Sequence, residues 1–227
     1  MLDGRLFEST GITGQSTVRE LDPTTGRVLA KKPMPRSVFG EGMTVMEGGI
    51  AKVLTWRARS AYTYNVSGRE PQELAAQSFS SHTGEGWGLA YDGRDLLLTD
   101  GGDTLQRLDP DTMARRGSVA VKEDGTAVRY LNEAEWVLGE VLANVWFQDY
   151  IVRIDPSSGR VLGRISMRPV GVPRIDAGGN NVLNGVACDP STFSDDEGVR
   201  CFVTGKQWEQ MHEVRLHTAP RGSSGAA

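Results

Sequence analysis

The sequence predicts an all-β protein, a five-bladed β-propeller built from four-stranded antiparallel blades. Three observations point there: short apolar runs that return at a near-constant interval, Asp-Pro turns that recur between them, and glycine-bearing segments that precede them. The runs are "RLFEST" (5–10), "AKVLTW" (51–56), "DLLLTD" (95–100), "EVLANVW" (140–146) and "RCFVTGK" (200–206). They end at Thr10, Trp56, Asp100, Trp146 and Lys206, in steps of 46, 44, 46 and 60 residues. Each is rich in Val, Leu or Phe, as sheet strands are. Four-strand units at that period are the signature of propeller blades, and five such runs imply five blades.

A second strand follows each run and leads to a turn. "VRELDPTTGRVL" (18–29), "LQRLDPDTMARRGSV" (105–119) and "IVRIDPSSGRVLGRI" (151–165) share one pattern, and "AYTYNVSGREPQEL" (61–74) stands where the second copy belongs. Asp caps such a turn through its side chain and Pro fixes φ at the next position. Gly26 and Gly159 suit the positive-φ place before the outer strand. "PQELAAQSF" (71–79) reads as a connection to an outer strand. The segments before the runs are "GEGMTVME" (40–47), "GEGWGLAYD" (84–92), "LNEAEWVLG" (131–139) and "LNGVACDP" (183–190). Innermost strands of a propeller crowd the axis, so small residues are required there. A β-sandwich would also be all-β, but it does not need one unit five times.

The ends break the pattern. The first repeat begins at its second strand, and the last stops at its third. Residues 5–29 and 183–216 are therefore expected to share one imperfect blade, the first inner strand being absent. Residues 1–217 are expected to form one propeller domain and 218–227 a disordered tail.

Composition narrows the function. A net charge of -4 and scattered basic residues argue against a nucleic-acid partner. No apolar run is long enough to span a membrane, and "MLDGRLFEST" lacks a signal segment. Two cysteines and three histidines form no zinc spacing. Cys188 and Cys201 read either as two buried thiols or as a cross-strand disulfide. The P-loop, the nucleophile elbow, the dinucleotide fingerprint and the zincin motif are missing from the sequence.

Strand ends and inner-strand starts converge on one mouth of a propeller. The candidates there are Glu41, Trp56, Glu85, Trp87, Asp100, Asn132, Glu133, Trp146, Asn184 and Lys206, with Trp208 flanking them and Trp136 packing between blades. Trp56, Trp87 and Trp146 recur in phase, which favours a ligand-lined pocket over packing alone. Glu41 and Glu85 each stand between glycines. Either could be a general acid/base raised toward neutrality by desolvation, or a carboxylate that holds a turn. Lys206 could stabilise negative charge, and Asn132 and Asn184 could hold an amide.

The motifs "LFESTGITGQSTVRELDPTTGRV", "FGEGMTV", "EGWGLAYDG", "LNEAEWVLGEVLANVW", "IVRIDPSSGRVLG", "VLNGVACDP" and "FVTGKQW" together resemble the plant and bacterial type of glutaminyl-peptide cyclotransferase over about residues 4–216. The resemblance implies a five-bladed propeller, unrelated to the animal zinc enzymes of that name. It implies that N-terminal glutamine of a peptide or protein is converted to pyroglutamate with loss of ammonia. Glu41 matches the family's catalytic acid, Asn132 the residue that holds the amide or oxyanion, and Lys206 the residue that polarises the carbonyl. Phe39, Trp56, Glu85, Trp87 and Trp146 match the substrate pocket. No cofactor is implied for catalysis, although a structural divalent cation, calcium, on the axis is. Relatives are typically secreted or pass through the secretory pathway, and the expected form is a monomer acting on Gln-initiated peptides. Relatives open with a strand of the kind "FTQGL", absent here; the competing function is therefore a propeller that binds peptides at the same mouth without turnover. Because the reacting bonds lie within one residue, later residues of the substrate are expected to matter less.

Overall fold

Five antiparallel sheets follow one another along the chain in a computed structural model, which describes residues 1–171 and 181–217. The first sheet holds β1 (Leu6–Thr10), β2 (Thr17–Leu21) and β3 (Val28–Pro33). The second holds β4 (Gly40–Met46), β5 (Ile50–Thr55), β6 (Ser60–Asn65) and β7 (Gln72–Ser78). The third holds β8 (Gly88–Tyr91), β9 (Leu96–Thr99), β10 (Thr104–Leu108) and β11 (Arg115–Ala120), followed by a small ribbon of β12 (Lys122–Glu123) and β13 (Thr126–Ala127). The fourth holds β14 (Leu131–Val137), β15 (Glu140–Val145), β16 (Tyr150–Ile154) and β17 (Val161–Ser166). The fifth holds β18 (Leu183–Ser194), β19 (Gly198–Gly205) and β20 (His212–Leu216).

Within each sheet the strands pair in sequence order, which is the meander of a propeller blade. Five apolar clusters, one at each junction, close the ring. Phe7 and Val18 meet Val53 and Tyr64; Leu54 meets Leu89 and Leu98; Leu97 and Leu105 meet Val141 and Val152. Leu142 and Ile151 meet Val186 and Val199. At the last junction only Leu6, Leu21 and Phe202 are buried together. Because blades pack face to face, a middle strand such as "LLLT" of β9 is buried on both sides. Each leucine so buried contributes about 2 kcal/mol.

Two expectations are corrected. Residues 5–29 and 183–216 do not share a blade: they form two separate three-stranded sheets, so three blades have four strands and two have three. The β1 strand forms the inner edge of the first sheet and β20 the outer edge of the fifth. Residues 72–78 are not a connection but the outermost strand β7. Its side chains are almost all exposed, so it has no apolar alternation to betray it. The expected tail at 218–227 lies outside the described residues.

The turns follow the expected chemistry. The side chains of Asp22, Asp109 and Asp155 each accept backbone N–H groups from two residues just ahead. Gly26 and Gly159 take positive φ, and Met113 holds the equivalent place at φ 60°.

The inner-strand glycines answer to contact. A Cβ on Gly42 would lie 2.6 Å from the Gly88 backbone, and one on Gly88 would lie 2.2 Å from the Asn132 carbonyl. Strands β4, β8 and β14 can therefore touch around the axis only if both positions stay bare.

Cys188 and Cys201 face each other across β18 and β19 and are joined in a disulfide, both fully buried. The bridge closes a loop of 13 residues in the blade with the thinnest junction. Replacing both cysteines by serine should lower the unfolding free energy by about 3 kcal/mol in a denaturant titration. An unchanged midpoint would show that the bridge contributes nothing to stability.

Candidate active site

The strand tips reach one mouth because each is tied to the residue entering a neighbouring inner strand. Trp56 N–H donates to the Phe39 carbonyl (3.0 Å), Trp146 N–H to that of Tyr130 (2.9 Å) and Lys206 N–H to that of Val182 (2.9 Å). Trp87 N–H donates to the Thr99 carbonyl at 3.0 Å. These bonds fix a row of side chains around the opening.

One end of the row faces a cavity of about 780 Å³ that runs along the axis and into the junction between the first and fifth blades. Phe39, Glu41 and Lys206 line it, together with Glu133 and Glu135. The Lys206 Nζ lies 6.0 Å from the centre of the Phe39 ring, and the Phe39 and Trp56 rings meet edge to face at 5.8 Å. The other end of the row is the edge-to-face pair Trp87–Trp146, 5.2 Å between ring centres.

Glu85 joins the two ends. One of its carboxylate oxygens accepts the indole N–H of Trp56 (2.8 Å) and of Trp87 (2.9 Å), and the other accepts Arg57 Nε at 2.9 Å. The Arg57 guanidinium in turn lies 3.9 Å over the Trp56 ring. Three donors hold Glu85 ionised, below the usual carboxylate range despite its partial burial.

Glu41 has the opposite surroundings. Burial is the largest influence and pushes its carboxyl up to about 7; the Lys206 charge pulls it down and the Glu85 charge adds to the rise. Two acids in matching glycine frames are thus separated by environment. Glu41 can exchange a proton near neutral pH, and Glu85 holds two indoles in place.

The other sequence candidates fall on both sides. Asn132, expected at the mouth, is 2% exposed and does not line the cavity. Asp100, expected at the mouth, is buried and spends its carboxylate on Thr83, Gly102 and Gln106 within its own blade. The Asn184 side chain lines the cavity but accepts the Glu133 N–H, tying β18 to β14. Trp136 packs at a blade junction as expected, and also reaches the cavity. Trp208 packs on the fourth-to-fifth junction and lines the cavity wall.

Sequence reasoning passed over Glu135, Arg57, Tyr130 and Phe147. Glu135 accepts the Cys188 N–H, and burial drives the carboxyls of both Glu133 and Glu135 upward. Their period-two spacing on an inner strand was the available signal. Tyr130 and Phe147 are exposed aromatics with φ of 63° and 66°. Such backbone costs a non-glycine residue on the order of 1–3 kcal/mol. Among the described residues no three His, Cys, Asp or Glu side chains converge as a metal-ligand set.

The glutamine cyclotransferase family model matches residues 1–216, and the chain belongs to that family. It is 40% identical over 216 residues to a glutaminyl-peptide cyclotransferase of Arabidopsis thaliana, covering 94% of this chain. The chain spans 64% of that relative's own length. The crystal structure of the Myxococcus xanthus glutaminyl cyclase matches with a TM-score of 0.80 and 32% identity, over 95% of this chain and 87% of the other.

The Glu85 arrangement makes a separable prediction. Glu85→Ala removes the acceptor shared by two indoles, and should raise KM for a peptide substrate about tenfold through lost charge-assisted hydrogen bonds. It also removes a negative charge that raises the Glu41 carboxyl, so the acid limb of the pH–rate profile should move to lower pH. Steady-state kinetics across pH checks both. An unmoved acid limb would mean that the two carboxylates are not coupled.

Proposed function

We propose that this chain is a glutaminyl-peptide cyclotransferase. It would convert the N-terminal glutamine of peptides or proteins to pyroglutamate with release of ammonia. The observation that carries the reading is Glu41: a carboxyl raised to about 7, deep in the channel, with a lysine and an aromatic ring beside it. Family membership and the two named relatives support the same reaction.

In this reading the substrate's side chain enters between Phe39, Trp56, Trp87 and Trp146. The neutral α-amine attacks the γ-carboxamide carbon. As the new C–N bond forms, Glu41 takes a proton from the amine, and the Lys206 charge offsets the negative charge gathering on the carbonyl oxygen. The tetrahedral centre collapses, its bond to the amide nitrogen breaks, and Glu41 returns the proton so that ammonia leaves. The Asn132 carboxamide, which matches the family residue that holds the amide, is assigned to the substrate amide. Glu85 acts as a positioning residue through Trp56 and Trp87. Ring closure is intramolecular, so holding the side chain folded toward the amine is a large share of the task.

The buried disulfide supports residence in an oxidising compartment such as the secretory pathway. The reading is tested by incubating the purified chain with Gln-initiated peptides and following ammonia and the mass of the product. One ammonia per blocked N-terminus is expected; a folded chain that releases none from any such peptide would overturn the proposal.

A further inference from the structure

The residue after the strand tip takes a left-handed backbone in three blades: Gly101 at φ 78°, Phe147 at 66° and Gln207 at 59°. Glycine is the unstrained choice, and the third blade uses it. The fourth blade instead places phenylalanine there, 44% exposed. Tyr130 is a second case: φ 63°, 53% exposed, its backbone N–H and carbonyl both fixed by hydrogen bonds to Gly101 and Trp146.

Both aromatics bear on one side chain. The Phe147 ring stacks on Trp146 with centres 4.2 Å apart and planes at 26°, and Tyr130 meets Trp146 edge-on at 6.4 Å. Trp146 is also the indole of the row that Glu85 does not hold; its Nε1 has no partner among the described residues. Beyond Trp146 the row continues to Trp87. Two strained, exposed rings thus extend the aromatic row of Trp87 and Trp146 that would hold glutamine.

We infer that Tyr130 and Phe147 form a binding shelf for the side chain of the second residue of the peptide substrate, selecting apolar and above all aromatic side chains. The inference rests on the reading of the mouth as a Gln-peptide site. The chemistry is confined to the first residue, but the peptide must leave the pocket over its rim. An aromatic rim gives contact area at low entropic cost to a flat ring leaving beside Trp146.

The test compares the amidated peptides Gln-Phe and Gln-Ala on the parent chain, Phe147→Gly and Tyr130→Asn. Glycine and asparagine both accept the left-handed backbone, so the variants keep the turn. The parent should show a kcat/KM about fivefold higher for Gln-Phe, expressed mainly in KM. The ratio should fall to within about twofold in Phe147→Gly and to an intermediate value in Tyr130→Asn. If Phe147 only braces Trp146, both peptides lose rate alike and the ratio stays at the parental value, which overturns the shelf. If neither peptide is turned over, the cyclase reading fails, and the shelf is judged by dissociation constants of the same peptides from tryptophan fluorescence. A parental preference for Gln-Phe that Phe147→Gly abolishes upholds it; equal affinities refute it.

Discussion

Glu41→Gln should lower kcat for a Gln-initiated peptide by about 10²–10⁴-fold, the usual contribution of a positioned proton carrier. The amide keeps the volume and can still accept a hydrogen bond, but it cannot take a proton from the α-amine and return it to the leaving nitrogen. The loss should fall on kcat more than KM, because the proton moves in the transition state. Folding should survive, since the substitution replaces a buried ionisable group by a neutral one of the same shape. Circular dichroism and the unfolding midpoint establish that the variant is folded. A folded Glu41→Gln with near-parental kcat would remove Glu41 from the mechanism.

The second large effect is selectivity between glutamine and glutamate. An N-terminal Glu peptide should react about a thousandfold or more slowly near pH 7 than its Gln counterpart, since a site matched to a neutral amide leaves buried groups mispaired with its analogue. Three penalties act together. A carboxylate is a poor electrophile, it loses its hydration against the aromatic wall, and it meets Glu41 as like charge. Protonating the substrate's γ-carboxyl relieves all three, so the discrimination should narrow as pH falls. Glutamate cyclisation nevertheless stays slow there, because acid also protonates Glu41. Matched Gln and Glu peptides followed by product mass across pH check the claim; equal rates at neutral pH would contradict it.

The fold was legible because the apolar runs are buried on both faces and the inner strands need bare glycines at the axis. Both demands write themselves into the sequence at a fixed period. What escaped was surface: β7 is exposed along nearly its whole length, so hydrophobic pattern could not mark it. The split of 5–29 and 183–216 into separate blades escaped because local motifs do not say which incomplete units merge. At the site, the structure brings Phe39, Glu41 and Lys206 to one cavity, while Trp56 meets Phe39 and Trp87 meets Trp146 outside its lining. Phase misassigned Asp100, whose partners Thr83 and Gln106 come from elsewhere in its own blade. The division of labour between Glu41 and Glu85 was invisible in two near-identical glycine frames. It depends on which indoles and which guanidinium reach each carboxylate, and those arrive from other strands.

The central claim is that Glu41 carries the proton, and the pH dependence of kcat/KM measures it most directly. Its carboxyl stands near 7 in the free protein, and only the ionised form can accept a proton. The kcat/KM for a Gln-initiated peptide should therefore fall through an inflection near 7, in addition to that of the substrate's own α-amine at about 7.7–8.0, and Glu85→Ala should shift the Glu41 inflection downward. In Glu41→Gln the residual rate should lose that inflection and keep only the one of the α-amine. A parent whose kcat/KM falls with the α-amine alone, or a Glu41→Gln variant that retains the inflection near 7, would contradict the account.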